Sequence, residues 1–309
     1  MVKNERWGNP YIDTRDWSTY NDRLVRRGEF YLSFDLLDKW DDVLSTMNNC
    51  KPVRPFDYPI TFIEWMARIH LCLHMPYRQM EGFVRKLSEY IPRLRAADYT
   101  TLFRRIQKLN LSLSTPDLLN SDPVVIAVDS TGIKVTNRGE WMREKWKIRR
   151  GWIKVHVMID VKTNQILGLE ITDEESQDEE MFLPLLNQAE VMCGEGRIEK
   201  ALGDGAYDRK ELFNEMEKRK IQSGIKMRKD AATKSRGSPY RSECVRRRNK
   251  IGYKKWAEET GYGMRWKVEG IYSGVKRIFG EMLRAISKKG MIQEAWMKFY
   301  YYNLMMCMQ

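Results

Sequence analysis

The chain has 309 residues, of which 42% are hydrophobic, so it can bury a sizeable core in one catalytic domain with a smaller accessory domain. Its formal net charge of +12 favours a polyanionic partner, nucleic acid before an anionic membrane. No apolar run approaches the roughly 18 residues that a membrane span needs, and residues 1–7 contain no apolar signal core, so we expect a soluble cytoplasmic protein without a membrane partner.

Residues 1–58 form an N-terminal extension. Aromatic residues such as Trp17 and Tyr20 alternate with charged ones, and the segment closes on the turn-forming Lys51-Pro-Val-Arg-Pro55. The pattern predicts two short helices after an extended lead-in.

Residues 59–118 are predicted to be an all-helical, helix-turn-helix-like domain. Apolar residues from Phe62 to Leu73 recur at spacings of three and four, Pro76 opens a second helix to Leu87, and Asp98 caps a third from Tyr99 to Leu109. Such a unit binds DNA in many proteins, although a plain helical bundle with solvated basic residues has the same pattern. Four polar residues of the third helix are candidate DNA contacts: Thr100, Arg104, Arg105 and Lys108.

Residues 119–309 have the pattern of a mixed α/β domain. Three strands, Val124 to Val135, Ile153 to Val161 and Gln165 to Thr172, can pair as a meander. Helices and strands then alternate: a helix over 178–191, a strand over 198–202, a helix over 209–220 and a strand over 222–227. This order predicts a ribonuclease H-like sheet flanked by helices.

A strongly basic segment follows. Between Arg219 and Lys250 twelve lysines and arginines face only Asp230 and Glu243, and Ser235, Gly237, Ser238 and Pro239 make the segment loop-like. We interpret residues 228–258 as an insertion that neutralises a DNA backbone, with a solvated surface as the alternative. Its candidate DNA contacts are Arg246, Arg247 and Arg248.

Three carboxylates stand next to short signatures. Asp129 ends the apolar run Val124-Val-Ile-Ala-Val128, Asp204 follows Ala201-Leu-Gly203, and Glu269 lies in a stretch of helical spacing. Carboxylates are the ligands that Mg²⁺ prefers, and two such ions about 3.5–4 Å apart can catalyse phosphodiester cleavage and joining. The three acids therefore predict a two-metal site for nucleic-acid chemistry.

Several neighbouring residues have competing interpretations. Asp160, in the second strand, can come near Asp129 across the sheet and compete as a metal ligand. His156 is interpreted as a core histidine in preference to a catalyst. Trp141, Trp146 and Trp152 are interpreted as packing aromatics, with stacking on unpaired bases as the alternative.

These signatures together resemble the DDE transposases of prokaryotic insertion sequences, specifically the family named after insertion sequence five. The resemblance covers about residues 60–305. The motif Tyr-x2-Arg-x3-Glu-x6-Lys is matched at Tyr262, Arg265, Glu269 and Lys276. The contexts of the first two acids are matched at Val128 to Gly132 and Asp204 to Asp208, and two flanking stretches, Arg149-Arg-Gly-Trp-x-Lys154 and Lys276-Arg-Ile-Phe-Gly280, also look like the family.

The resemblance implies that Asp129, Asp204 and Glu269 hold two Mg²⁺ or Mn²⁺ ions. It implies an enzyme that binds the inverted repeats at the ends of its element, cleaves a strand and transfers the 3′-hydroxyl to target DNA, as a homo-oligomer in a synaptic complex. Arg265 and Lys276 would contact phosphates with Tyr262 beside them, and Lys134 and Arg277 are additional phosphate contacts. The implied location is the nucleoid of a prokaryotic cytoplasm.

Two other functions remain open on the sequence. A ribonuclease H-like nuclease or resolvase that cleaves without joining needs the same acids. A catalytically inactive DNA-binding remnant would use the helical domain alone, although the intact Asp129, Asp204 and Glu269 argue against it.

Overall fold

The fold is that of a computed structural model of the chain. It describes every residue except 1–2, 7–8, 13–14, 50, 52, 114–121, 136–151, 229 and 308–309, and for residues 3–6 and 9–12 it describes the backbone alone. In the part of the chain so described, no helix has both the length and the apolar character needed to cross a membrane.

The N-terminal segment contains a hairpin followed by two helices. Strands β1 (Lys3–Arg6) and β2 (Asn9–Ile12) pair antiparallel, which gives the predicted extended lead-in a partner within the chain. Helix α1 (Trp17–Tyr31) begins after Asp16, whose carboxylate accepts a hydrogen bond from the backbone N–H of Ser18. A 3₁₀ turn at Asp35–Leu37 and helix α2 (Trp40–Asn48) complete the segment.

Three helices follow as the periodicity predicted: α3 (Ile60–Cys72), α4 (Tyr77–Ser88) and α5 (Tyr99–Ile106). Pro76 immediately precedes α4, and the Asp98 carboxylate caps α5 by accepting hydrogen bonds from the backbone N–H groups of Thr100 and Thr101. Helix α5 ends three residues before the predicted Leu109.

A six-stranded sheet forms the centre of the remaining chain. Its strands are β3 (Val124–Val135), β4 (Trp152–Asp160), β5 (Ile166–Asp173), β6 (Ile198–Gly203), β7 (Gln222–Ile225) and β8 (Met282–Leu283). The order is β5-β4-β3-β6-β7, with the first three antiparallel, β6 and β7 parallel to β3, and β8 parallel to the far end of β3. This is the ribonuclease H-like order that the sequence predicted.

Helices cover both faces of the sheet. They are α6 (Asp178–Cys193), α7 (Lys210–Lys218), α8 (Pro239–Ile251), α9 (Tyr253–Thr260), α10 (Lys267–Phe279) and α11 (Lys288–Met306). Alternate residues of β4 point to opposite faces, so Val155 and Val157 pack in the cluster with α10 and α11, whereas Met158 packs in the cluster with α6 and α7.

The interpretation of the basic segment as a loop is wrong for most of its length. Residues 239–251 and 253–260 are helices α8 and α9. Helix α8 packs on α7, α9 packs on α8 and β7, and buried residues such as Val245 and Trp256 belong to the same cluster. Pro239 takes the first position of α8, where its missing N–H costs no intrahelical bond, so it starts a helix here.

The helical unit and the sheet share one hydrophobic core. Buried residues of α3 and α5 belong to the same cluster as those of β4, α10 and α11. Helix α11 links the two parts: Tyr301 donates a hydrogen bond to the Glu64 carbonyl, and Trp296 donates one to the Leu111 carbonyl. The predicted domain divisions at residues 58 and 118 remain predictions, and these two hydrogen bonds join the units on either side of the second one.

Candidate active site at the strand ends

The first two acids lie side by side on neighbouring strands. Ala127 of β3 pairs with Leu202 of the parallel strand β6, so two residues further along each chain Asp129 and Asp204 are adjacent. Strand β6 ends at Gly203, and the Asp204 carboxylate caps the following 3₁₀ turn, Gly205–Tyr207, by accepting a 2.8 Å hydrogen bond from the Ala206 N–H. The turn thus fixes the second acid at the carboxyl end of β6.

The third acid is brought to the first by an arginine. A 3₁₀ segment, Tyr262–Trp266, leads into α10 and places Arg265 one helical turn before Glu269. Arg265 Nη1 donates to Asp129 Oδ2 at 2.9 Å, and Arg265 Nη2 donates to Glu269 Oε1 at 2.8 Å. One guanidinium therefore joins two of the three predicted acids.

Two further hydrogen bonds fasten α10 to β3. The hydroxyl of Tyr272 donates to the backbone carbonyl oxygen of Asp129 at 2.6 Å, and Lys276 Nζ donates to Thr131 Oγ1 at 3.0 Å. Together with Arg265, these contacts fix the helix of the third acid against the strand of the first. Below them, a cleft of about 450 Å³ is lined by Glu269, Lys276 and Arg277 among others.

The electrostatic environment of Asp129 is mixed. Burial raises the pKa of its carboxyl group, and the charge of Asp204 raises that pKa further, while a hydrogen bond from Ser130 N–H and the charge of Arg265 act in the opposite direction. Only 20% of the Asp129 side chain is exposed, compared with 58% of that of Glu269. A second cation near Asp129 would reduce the cost of ionising two adjacent acids.

The donor set suits a hard divalent cation in its chemistry, since all three acids offer carboxylate oxygens. Among the described residues, however, no three histidine, cysteine or acidic side chains are grouped closely enough to hold a metal ion. Both carboxylate oxygens of Asp129 already have partners: Oδ1 accepts from Ser130 N–H and Oδ2 accepts from Arg265. The acids fit the ion by type, and Arg265 is the cation that Asp129 and Glu269 contact in this structure.

A buried polar network beside the site was not predicted from the sequence. Asp178, in the first turn of α6, lies 2.9 Å from Lys154 Nζ and 3.3 Å from His156 Nδ1. Burial acts to raise the pKa of Asp178, but contacts with His156, Lys154 and Ser130 outweigh it and lower that pKa. An acid in the first turn of a helix is ordinarily explained by its favourable interaction with the helix N-terminus. Nothing in the sequence therefore indicated that Asp178 contacts Lys154 and His156.

Tyr207 was matched in the sequence as part of the Asp204 motif but given no role. It is 1% exposed, its pKa is raised by burial first and then by the charges of Asp178, Asp129 and Asp204, and its hydroxyl has no hydrogen-bond partner among the described residues. Tyr207 is therefore a buried side chain close to Asp129 and Asp204.

The two competing residues of β4 have structural roles. Asp160 pairs with Ile126, whereas Asp129 pairs with Val157, so Asp160 lies about 10 Å further along the sheet. Its carboxylate accepts hydrogen bonds from Lys162 N–H, Thr163 N–H and Thr163 Oγ1, which closes the turn to β5. His156 is fully buried and contacts Thr172 Oγ1 at 2.8 Å, as a core histidine does.

The glycine of the Val-Asp-Ser-Thr-Gly context has a packing reason. A Cβ atom on Gly132 would lie 2.7 Å from the ring of Trp152, which packs directly over it from β4. Lys134 Nζ lies over the same ring at 5.7 Å and 3.4 Å from Glu281 Oε2. Trp141, Trp146 and the Arg149-Arg-Gly151 part of the neighbouring motif lie outside the described residues.

Several predicted DNA contacts are engaged within the protein. Arg105 donates to the Tyr58 carbonyl at 2.6 Å, Arg248 donates to the Met227 carbonyl at 2.9 Å, and Arg247 pairs with Glu259 at 2.9 Å. Thr100 donates its hydroxyl to the capping Asp98. Arg104, Lys108, Arg246 and Arg277 are exposed, as are Lys134 and Arg247, which form exposed ion pairs with Glu281 and Glu259.

Tyr262 lies near the acids and packs against helix α9. Its ring lies 5.3 Å from that of Trp256, centroid to centroid, and burial raises the pKa of its hydroxyl. The motif residues Tyr262, Arg265, Glu269 and Lys276 thus surround one short stretch of β3.

Comparison with known proteins gives a family match over this region. A family described as "Transposase DDE domain" matches residues 120–304, more than half of the chain, and a second family of the same description matches residues 25–138.

Solved structures align more weakly. A chain of the simian T-cell lymphotropic virus intasome in complex with PP2A regulatory subunit B56 gamma is 16% identical over 53% of this chain and about half (52%) of that one, with a TM-score of 0.26. The piggyBac transposase synaptic complex with hairpin DNA is 10% identical over 91% and 74%, with a TM-score of 0.36. The Drosophila P element transposase strand transfer complex is 11% identical over 87% and 69%, with a TM-score of 0.32.

Proposed function

We propose that this chain, which belongs to the family of transposases with a DDE domain, uses Asp129, Asp204 and Glu269 as the three acids of that domain. The observation that carries the proposal is the meeting of the three signatures: adjacent strands place Asp129 beside Asp204, and Arg265 joins Asp129 to Glu269. The finer assignment, a prokaryotic insertion sequence of the family named after insertion sequence five, rests on the motif at Tyr262, Arg265, Glu269 and Lys276.

The three acids would hold two divalent cations, Mg²⁺ or Mn²⁺. When bound, such ions supply an activated oxygen nucleophile and stabilise the leaving oxygen. The carboxylates contribute the oxygen ligands and the charge balance. Asp129 is only 20% exposed and Tyr207 beside it is buried, so the local dielectric is low and the attraction between the carboxylate and a cation is stronger than in water.

Basic residues on and around helix α10 would orient the DNA. Lys276 and Arg265 lie within hydrogen-bonding distance of β3 beside the first acid, and Lys134 and exposed Arg277 lie at the edge of the same region. A phosphate in the cleft would meet these cations, with the ring of Tyr262 limiting the space. Water would then attack phosphorus in line, forming a new P–O bond as the bond to the 3′-oxygen breaks.

The liberated 3′-hydroxyl is the nucleophile of the second step. Held at the same acids, it would attack a phosphodiester of target DNA, so that one P–O bond forms and one breaks with no external energy source. Binding two ends at once requires a homo-oligomer, which we propose as the working state in the host nucleoid.

End recognition would use the helical unit. Its exposed surface carries Arg104 and Lys108 one turn apart, and the aromatic rings of Tyr99 and Phe103 are 37% and 48% exposed on the same helix region. Charged and aromatic side chains together suit a DNA groove and backbone. The exposed Arg246 of α8 would extend the phosphate contacts.

The proposal is tested with a plasmid that carries the terminal repeats of the element. We expect Mg²⁺-dependent cleavage by the wild type and none by Asp204→Asn, with DNA binding retained. Asp173→Asn, in an exposed pair with Lys288, is the charge-matched control and should cleave normally. Cleavage by Asp204→Asn would refute the assignment.

A pre-cleaved end separates the alternatives. A transposase joins it to target DNA, a nuclease or resolvase cleaves the plasmid but gives no joined product, and an inactive remnant does neither while still binding DNA.

A further inference from the structure

We propose that Arg265 is a cation switch: it occupies the metal-binding carboxylates until a DNA phosphate competes for its guanidinium, so that metal binding and DNA binding are coupled. The inference rests on the proposed function of the three acids. It adds a role for Arg265 that a simple phosphate contact does not have.

The geometry puts Arg265 where a metal ligand is needed. Both oxygens of Asp129 are engaged, Oδ1 by Ser130 N–H at 2.9 Å and Oδ2 by Arg265 at 2.9 Å. An ion that binds Asp129 through Oδ2 has to displace the guanidinium. The other half of the guanidinium holds Glu269 Oε1, so the same displacement releases the third acid.

The position of Arg265 favours this contact over an exposed one. Its side chain is only 20% exposed, whereas that of Glu269, its partner one helical turn later in α10, is 58% exposed. A guanidinium presents a rigid fork of donors, and here the two prongs reach acids on two different elements, β3 and α10. Arg265 is thus a built contact between strand and helix rather than a solvated surface pair.

DNA phosphate offers the guanidinium an equivalent partner. Phosphate and carboxylate oxygens bind the same fork in the same bidentate way. A phosphate in the cleft can therefore draw Arg265 from Asp129 and Glu269 while it brings the substrate to those acids. The carboxylates that lose Arg265 are then left without a cation, which increases their affinity for a divalent ion.

Lys276, the other basic residue of the motif, also contacts β3, two residues beyond Asp129. Its ammonium group contacts Thr131 Oγ1, a neutral partner, at 3.0 Å. Moving Lys276 to a phosphate therefore releases no acid. The difference assigns the switch to Arg265 alone among the two basic residues of the motif.

Coupling between two ligands is reciprocal, and typical values range from about 5- to 150-fold in affinity. We expect Mn²⁺ to bind the wild type at least ~10-fold more tightly when DNA is present, and DNA to bind more tightly when Mn²⁺ is present.

The test measures Mn²⁺ binding to the full chain by electron paramagnetic resonance, with and without a mixed-sequence DNA duplex at low salt. Arg265→Gln should bind Mn²⁺ tightly without DNA and gain little when DNA is added. Arg26→Gln removes the same charge from an exposed ion pair with Asp22 on α1 and touches none of the acids, so it should behave as the wild type does. Melting temperatures establish that each variant is folded.

Two results would overturn the switch. One is that Arg265→Gln binds Mn²⁺ no more tightly than Arg26→Gln without DNA. The other is that DNA increases Mn²⁺ affinity equally in Arg265→Gln and the wild type. Asp204→Asn tests the underlying site separately. If Asp204→Asn left Mn²⁺ binding unchanged in every condition, the three-acid assignment would fail, whatever Arg265 does.

Discussion

The hydroxyl of Tyr272 donates a 2.6 Å hydrogen bond to the backbone carbonyl oxygen of Asp129. The helix that carries the third acid therefore holds the strand residue that carries the first. Loss of the hydroxyl should therefore affect both the stability of the fold and the alignment of the acids.

Tyr272→Phe keeps the ring and removes the hydroxyl that makes this bond. We expect the free energy of unfolding to fall by about 1–2 kcal/mol, since a buried carbonyl loses its partner, and cleavage to fall by about 10-fold or more while DNA binding is kept, because misplacement at a reacting centre is costly. Urea unfolding and a plasmid cleavage assay measure the two effects.

The matched control is Tyr301→Phe, whose hydroxyl bonds the Glu64 carbonyl at 2.7 Å far from the acids. It should lose similar stability and cleave normally. Equal cleavage by the two variants would show that the Tyr272 contact is structural only.

Asp160→Asn distinguishes the turn-closing acid from a metal ligand. Its carboxylate bonds two backbone N–H groups and the Thr163 hydroxyl. The amide keeps one acceptor oxygen, so we expect a stability loss of about 1 kcal/mol and metal-dependent cleavage within a few-fold of the wild type. A loss as complete as that of Asp204→Asn would make Asp160 part of the site.

Two arginines of α8 are predicted to have different roles, one in contacting DNA and the other in stabilising the fold. Exposed Arg246 should contact phosphate, so Arg246→Gln should lower the slope of log affinity against log salt by about 0.9 and leave the melting temperature unchanged. Arg248 donates to the carbonyls of Met227 and Arg228, so Arg248→Gln should lower the melting temperature. The opposite pattern would exchange the two roles.

Asp178 predicts a pH dependence of stability. Its pKa lies below the ordinary value of about 3.9. A group whose folded-state pKa is lowered stabilises the fold above its unfolded pKa, and this contribution is lost as the pH falls through about 4 towards the folded-state pKa. Asp178→Asn should therefore be less stable at pH 7 and show a shallower loss of stability on acidification.

Urea unfolding between neutral pH and about pH 3 measures that difference. Asp173→Asn, which removes one member of an exposed ion pair, is the control and should follow the acid profile of the wild type. Parallel profiles for wild type and Asp178→Asn would exclude a stabilising role for the Asp178 carboxylate.

Regular elements of this chain were predictable where local signals agree. The apolar run from Val124 to Val135 is a strand with those bounds, and Asp98 caps α5 as predicted, because alternation and capping act within a few residues. The basic segment was mistaken for a loop because Ser235 to Pro239 are turn residues, although Pro239 also suits the first position of a helix.

The three acids of the site could be predicted from the sequence, but the contacts that their side chains make could not. Sequence spacing placed Glu269 in a helical stretch, and the family resemblance made Arg265 and Lys276 phosphate contacts. In the structure Arg265 lies in a 3₁₀ segment before the helix and reaches across to Asp129, 136 residues away in the chain. Contacts between different elements of the chain, like that of Lys154 with Asp178, depend on how the strands and helices are arranged, and local periodicity does not encode them.

The most direct test of the central claim maps the metal site on the protein itself. Fe²⁺ bound in place of Mg²⁺ on the DNA complex, with ascorbate and peroxide, generates radicals that cut the backbone next to the ion. We predict cuts near Asp129, Asp204 and Glu269 that excess Mg²⁺ suppresses and Asp204→Asn abolishes. Cuts near Asp160 instead, or cuts that Asp204→Asn leaves unchanged, would contradict the assignment of the three acids.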